Sequence, residues 1–270
     1  MSAPGAPGAG HAAIGAAIRA ANRQGGPALV AYLTAGFPVR ARFLADLAEV
    51  ARHADVVEIG VPFTDPMADG VTIQRASHAA LAQGVSLAWI LEELAGAAQR
   101  PAAPLILMSY LNPLLAYGLD RLPAASRTAG VAGFIVPDLP YEECAELRAA
   151  LNGAGIGLLQ MVTPVTPPGR LAMLCGAGQG FAYAVTMTGT TGKAAEVPES
   201  VLAYLDAVRA VSPVPVCAGF GIRDAGQVAR LAGHVDGVVV GSALVEVLER
   251  GADAGAFLDG LRSRQPGRGA

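Results

Sequence analysis

The chain has 270 residues, of which 53% are hydrophobic and 15% charged, ample material for one large core. A net charge of −3 excludes a bulk electrostatic hold on nucleic acid or anionic membrane. No apolar run reaches the roughly 18 residues needed to span a bilayer. The three cysteines, Cys144, Cys175 and Cys217, are odd in number and show no close pairing, so they read as packed thiols in a reducing cytosol.

The first stretch, residues 1–10, reads as a flexible leader, because it has neither a basic start nor the long apolar core of a signal peptide. Residues 11–24 read as a short amphipathic helix. From there a pattern repeats. An apolar run ends in Gly, Pro, Asp, Asn or Thr, and a helical stretch rich in Ala, Leu and Arg follows. The runs are ALVAYLTAG (28–36), DVVEIGVP (55–62), PLILMSYLNP (104–113) and VAGFIVPDLP (131–140). They continue with IGLLQMVTP (156–164), GFAYAVTMTG (180–189), PVPVCAGFG (213–221) and VDGVVVGSA (235–243). Continuous apolar runs suit parallel strands buried on both faces. Eight such units predict an α/β fold, a single (β/α)8 TIM barrel, with an extra N-terminal helix and extra helices in the loops. Residues 72–100 have room for two helices, and a last helix near 253–263 leads to a polar tail. With no linker or composition shift, the barrel domain is expected over 11–264 and a flexible tail over 265–270.

In such a barrel the active site is built at the C-terminal ends of the strands. The polar residues there include Thr34, Glu58, Asp65, Asp69, Tyr110, Asn112, Asp138, Tyr183, Thr191 and Ser242. The histidines, His11, His53, His78 and His234, all lie elsewhere, so a zinc site or a His-based nucleophile has no imidazole at this rim. The sole lysine, Lys193, sits in a Gly/Thr loop rather than in a desolvated strand, which argues against a Schiff base. Proton transfer by carboxylates remains. Glu58 lies inside an apolar strand, where desolvation raises a carboxyl pKa toward neutrality and suits it to acid/base work. A buried Glu paired with a structural Arg is the plainer reading. Asp69 in MADG equally suits a tight turn, and Asp65 in TDP a turn or cap.

Three Gly-rich turns follow late strands: TGTTGK (188–193), AGFGI (218–222) and VVGSALVEVL (239–248). The last puts Gly241 and Ser242 at a helix start, where backbone N–H groups and the helix dipole attract an anion. Loops after strands seven and eight of a barrel commonly hold phosphate, so a phosphate-bearing ligand is expected.

The motifs EIGVPFTDPMADGVTIQRAS (58–77), MSYLNPLLAYG (108–118), VPDLPYEE (136–143), TGTTG (188–192), AGFGI (218–222) and GSALV (241–245) occur in order. On them the chain resembles the α subunit of tryptophan synthase from about residue 12 to 262. The resemblance implies reverse-aldol cleavage of indole-3-glycerol phosphate to indole and glyceraldehyde 3-phosphate, as part of tryptophan biosynthesis in the cytoplasm. It implies Glu58 as acid/base and Asp69 as the carboxylate that meets the indole N–H. It implies a substrate pocket of Tyr32, Ile73, Met108, Tyr110, Tyr183, Thr191 and Phe220, and a phosphate site of Gly192, Gly219, Gly221, Gly241 and Ser242. No cofactor is expected in this chain. The implied partner is a pyridoxal-phosphate β subunit in an α₂β₂ assembly, met near Pro62, Asp65 and Asn112, with indole passing through a tunnel. Closure is expected in the loops at 62–65 and 188–196.

Two positions depart from the family pattern. Tyr32 stands where many members have Phe, and Met187 where some have Arg. The nearest rival is a stand-alone lyase of the same family that releases free indole. A sugar-phosphate isomerase barrel is a second. A non-catalytic regulatory subunit is the rival from another class, and the presence of both Glu58 and Asp69 argues against it.

Overall fold

The structure is a computed structural model, and it describes residues 10–186, 197–219 and 221–262. The strands are β1 (Ala28–Thr34), β2 (Val56–Gly60), β3 (Leu105–Met108), β4 (Val131–Ile135), β5 (Gly157–Leu158), β6 (Gln160–Val162), β7 (Ala182–Val185), β8 (Val216–Gly219) and β9 (Gly237–Val240). The helices begin with α1 (Gly10–Arg23), α2 (Phe43–His53), α3 (Val71–Ala82), α4 (Leu87–Gly96), α5 (Leu111–Tyr117) and α6 (Leu122–Thr128). They continue with α7 (Ala145–Gly153), α8 (Pro168–Gly176), α9 (Glu199–Val211), α10 (Ala225–Leu231), α11 (Ser242–Glu249) and α12 (Ala254–Arg262). Among the described residues no helix is long and apolar enough to cross a membrane.

The strands form one parallel sheet in the order β5-β4-β3-β2-β1-β9-β8-β7-β6. The fifth apolar run splits at Leu159. Its first half pairs with β4 and its second with β7. One extended segment therefore joins both ends of the sheet, and the eight expected staves close as a TIM barrel. The paired helices expected over 72–100 are α3 and α4, the latter started by Ser86, whose hydroxyl accepts from the Trp89 N–H at 3.2 Å.

Two apolar regions hold the barrel together. Outside it, strands and helices share a continuous core that includes Leu33, Ile59, Leu107, Phe134, Leu205 and Leu244. Inside, Ala28, Val30, Val56, Ile106, Phe181 and Val239 meet Ile14 and Ile18 of α1. The four-residue spacing of Ile14 and Ile18 puts both on one helical face. That face stoppers the N-terminal end of the barrel, so only the C-terminal end is left for chemistry.

Candidate active site

Strand register builds the site in layers. Tyr32, Glu58 and Ile106 form one row across β1, β2 and β3. Thr34, Gly60 and Met108 form the row two residues nearer the C-terminal rim. Side chains alternate along a strand, so the five side chains of these rows aim at the barrel interior, with Gly60 leaving bare backbone among them.

Space for the tyrosines comes from glycines. A Cβ placed on Gly60 would lie 2.0 Å from the Tyr32 hydroxyl, and one on Gly219 would lie 2.8 Å from the Tyr183 hydroxyl. Both tyrosines are therefore seated against bare backbone of the next strand. The Tyr32 hydroxyl is 3.3 Å from Thr34 Oγ1. Burial pushes the Tyr32 and Tyr183 phenols well above their usual range, so both are neutral at physiological pH.

Glu58 is 1% exposed, and neither carboxyl oxygen has a hydrogen-bond partner among the described residues. A buried charge with no partner is costly, so the group holds its proton instead. Desolvation, reinforced by the negative charge of Asp69, raises its pKa to about 8. Among the described residues no structural Arg pairs with it, contrary to the plainer expectation.

Asp69 lies in the turn before α3. Its main chain is fixed twice: its N–H donates to the Pro66 carbonyl at 3.1 Å, and the Gln74 amide donates to its carbonyl at 2.9 Å. Its side chain accepts from the Tyr110 hydroxyl at 3.2 Å. That hydroxyl also accepts from the Ala68 N–H at 2.9 Å, and the Tyr110 ring stacks on Phe63 at 5.1 Å. Partial desolvation raises the Asp69 pKa to about 6, with the Tyr110 hydrogen bond pulling the other way. Near pH 7 the two carboxyls thus carry one proton between them. It resides on Glu58, with Asp69 ionised. Environments that push two carboxyl pKa values apart give the groups different parts, here one able to give a proton and one held as an anion.

The remaining expected residues fall as follows. Ile73 is buried in the first turn of α3, Met108 is half-buried, and Tyr110 is buried at the start of α5. Gly219 is held by Thr186, whose hydroxyl donates to its carbonyl at 2.8 Å. Gly221 has φ +69°, a left-handed conformation that favours glycine. Gly241 precedes α11 and Ser242 is its first residue, both half-buried. Asp65 and Asn112 are exposed, and Pro62 is buried. Thr191, Gly192 and Phe220, with Met187 and Lys193, lie outside the described residues. Asp138, a rim candidate, caps a helix: its Oδ1 accepts from the Leu111 N–H at 2.9 Å. Phe63, Gly60 and Thr186 were not among the sequence candidates, since their parts depend on neighbours distant in the chain. Only the Gly60 that directly follows the Glu58–Ile59 pair in β2 carried a local hint of close approach.

The family model described as "Tryptophan synthase alpha chain" matches residues 18–258. A tryptophan synthase alpha chain of Desulfovibrio desulfuricans is 45% identical over 244 residues, covering 89% of this chain and 96% of the relative. One from Carboxydothermus hydrogenoformans is 41% identical over 238 residues, covering 87% of this chain and 89% of the relative. Among solved structures, tryptophan synthase from M. tuberculosis in an aminoacrylate-bound form superposes with a TM-score of 0.81 at 32% identity, covering 93% of this chain and 99% of that one. Tryptophan synthase subunit alpha from Legionella pneumophila gives a TM-score of 0.80 at 30% identity, covering 93% and 97%.

Proposed function

The chain belongs to the tryptophan synthase alpha-chain family, a family of lyases in tryptophan biosynthesis, and from that premise we propose that it cleaves indole-3-glycerol phosphate into indole and glyceraldehyde 3-phosphate. The observation that carries this reading is Glu58, a carboxyl buried in β2 whose oxygens have no hydrogen-bond partner among the described residues, at the same end of the barrel as Asp69 in the grip of Tyr110; burial divides the pair, raising Glu58 to about 8 and Asp69 to about 6.

The chemistry follows from that division. The Glu58 carboxyl donates its proton to the ring carbon that bears the side chain. The ring becomes an iminium cation, and the Asp69 carboxylate accepts a hydrogen bond from its N–H, stabilising the positive charge. Glu58, now a carboxylate, takes the proton from the adjacent side-chain hydroxyl. The carbon–carbon bond breaks, its electron pair neutralises the iminium, and the former hydroxyl carbon leaves as the aldehyde. Protons balance: one is given by Glu58 and one is returned to it. The apolar strand around Glu58 makes both halves accessible, because a carboxyl with a pKa of about 8 gives and regains a proton easily near neutrality.

Tyr32, Ile73, Met108, Tyr110 and Tyr183, with Thr191 and Phe220, would enclose the indole. Backbone N–H groups at Gly192, Gly219, Gly221, Gly241 and Ser242 would hold the phosphate, helped by the dipole of α11. The chain needs no cofactor for this step. Its partner would be a β subunit carrying pyridoxal phosphate, which takes up the indole. The exposed apolar side chains Met67 in the loop after β2, Val71 at the start of α3 and Leu115 on α5 stand with exposed Asp65 and Asn112, a mixed surface suited to a protein contact. Pro62, buried near the start of the loop after β2, would anchor it.

The test is glyceraldehyde 3-phosphate release from indole-3-glycerol phosphate, with and without β subunit and serine, in wild type, Glu58→Gln and Asp69→Asn. Slow release alone, strong activation by the β subunit and collapse in both variants are expected. Fast release with no response to the β subunit would instead indicate a stand-alone lyase, and unchanged rates in both variants would reject the carboxyl assignment.

A further inference from the structure

Three loops that surround the site come from distant parts of the chain. The loop after β2 carries Asp69 and leads into α3. The loop after β8 carries Gly221. The turn after β9 carries Gly241 and leads into α11. One set of side chains ties the loop after β8 to the two helices that the other loops lead into. Arg223, two residues past Gly221, donates from Nη1 to Glu246 Oε2 at 2.9 Å and from Nη2 to Glu246 Oε1 at 3.0 Å. Thr72, three residues past Asp69, donates from its hydroxyl to the same Oε1 at 3.3 Å. Glu246 stands on α11 one turn beyond Ser242. The Arg223 end is itself held, because its N–H donates to Gln227 Oε1 at 2.7 Å.

We infer that Arg223, Glu246 and Thr72 form a clasp that sets the span between the phosphate end and the ring end of the active site, and are positioning residues for the reaction. This rests on the proposed function, in which one substrate must meet Asp69 with its ring and Gly221, Gly241 and Ser242 with its phosphate, its flexible arm held at a single length between them. Holding both ends at the right separation is worth far more than either contact alone, because it fixes the reacting carbon against Glu58. The two-point fork between guanidinium and carboxylate is the geometry that fixes distance as well as charge. Arg223 and Glu246 side chains are 42% and 24% exposed, so solvent screens the pair and its contribution to global stability is small. A contact that adds little to stability yet ties that loop to these two helices has its effect in geometry. The same two helices also carry a second ion pair, Arg75 with Glu249, which does not reach the loop after β8. It supplies the control for mere helix–helix packing.

The experiment measures kcat and KM for indole-3-glycerol phosphate in wild type, Glu246→Ala, Arg223→Gln, Arg223→Lys, Thr72→Val and Arg75→Gln. It also measures inhibition constants for glycerol 3-phosphate, which reaches only the phosphate end, and for indole, which reaches only the ring end. Expected is a KM raised about tenfold or more in Glu246→Ala and Arg223→Gln. The two fragment constants should stay within about twofold, since neither fragment spans the clasp. Arg223→Lys should recover part of the loss, and Arg75→Gln should match wild type. Fragment constants weakened as much as KM, a KM that falls because Arg223 is freed toward the phosphate, or an equal effect from Arg75→Gln would each overturn the clasp. Wild type that fails to release product would overturn the functional reading beneath it and the clasp with it.

Discussion

The two ends of the barrel are built to opposite rules. At the N-terminal end, α1 lays Ile14 and Ile18 against Ala28, Val30 and Phe181 in an apolar cluster. At the C-terminal end, Glu58 is as buried as those residues but its carboxyl oxygens have no partner, and two tyrosines are fitted against glycine backbone. The first end stabilises the fold. The second tolerates a destabilising group where the proposed chemistry takes place. Local departures from good packing and polar satisfaction concentrate where function lies.

The sharpest way to break the rim is to remove its proton. Glu58→Gln should lower cleavage by about 10²–10⁴, on the order of 3–5 kcal/mol in the barrier, read as product release under saturating substrate. The sharpest way to break the other end is to hollow it. Phe181→Ala should cost about 3–5 kcal/mol in denaturant unfolding, while the pH optimum of surviving enzyme stays in place.

The comparison sharpens with pH. The Glu58 pKa is about 8 in the fold against 4.5 for an unburied Glu. The folded state therefore binds the extra proton between those values. Its contribution to stability is fully present below about pH 4.5 and is lost as pH rises through about 8. Thermal unfolding of Glu58→Gln and wild type should diverge with rising pH, Glu58→Gln becoming the more stable by a few kcal/mol, of order 1.4 per pKa unit. A constant difference from pH 5 to pH 9 would count against a buried, protonated Glu58. The smallest effect concerns Asp69. Tyr110→Phe removes the hydrogen bond that lowers the Asp69 pKa. The acid limb of the pH–rate profile, expected near 6 in wild type, should then move upward, with a loss of about 0.5–1.5 kcal/mol. A limb that moves down would reject the bond's assigned direction.

Some of this was legible from the chain alone. Eight apolar runs, each closing in turn residues, match the strands, because a strand buried on both faces leaves a continuous hydrophobic signature. The split of the fifth run at Leu159 was not legible, since hydrogen-bond pairing with β4 on one side and β7 on the other depends on neighbours and not on the run itself. Glu58 announced itself as a carboxyl within an apolar strand. Its lack of a hydrogen-bond partner among the described residues could not be foreseen, because a structural Arg from any helix or loop would have left the same local sequence.

What the sequence determined by itself was periodic or local: the alternation of strand and helix, the acid in β2, and the glycines that punctuate the late loops. Tertiary structure decided everything that joins residues far apart in the chain. It set Tyr32 beside Gly60 and Tyr183 beside Gly219, turned Asp138 from a rim candidate into the cap of α5, and brought Thr72, Arg223 and Glu246 to one point. The reason is that burial and backbone propensity act over a few residues, whereas the pKa of a carboxyl and the span of a site depend on whatever the closed barrel places next to it.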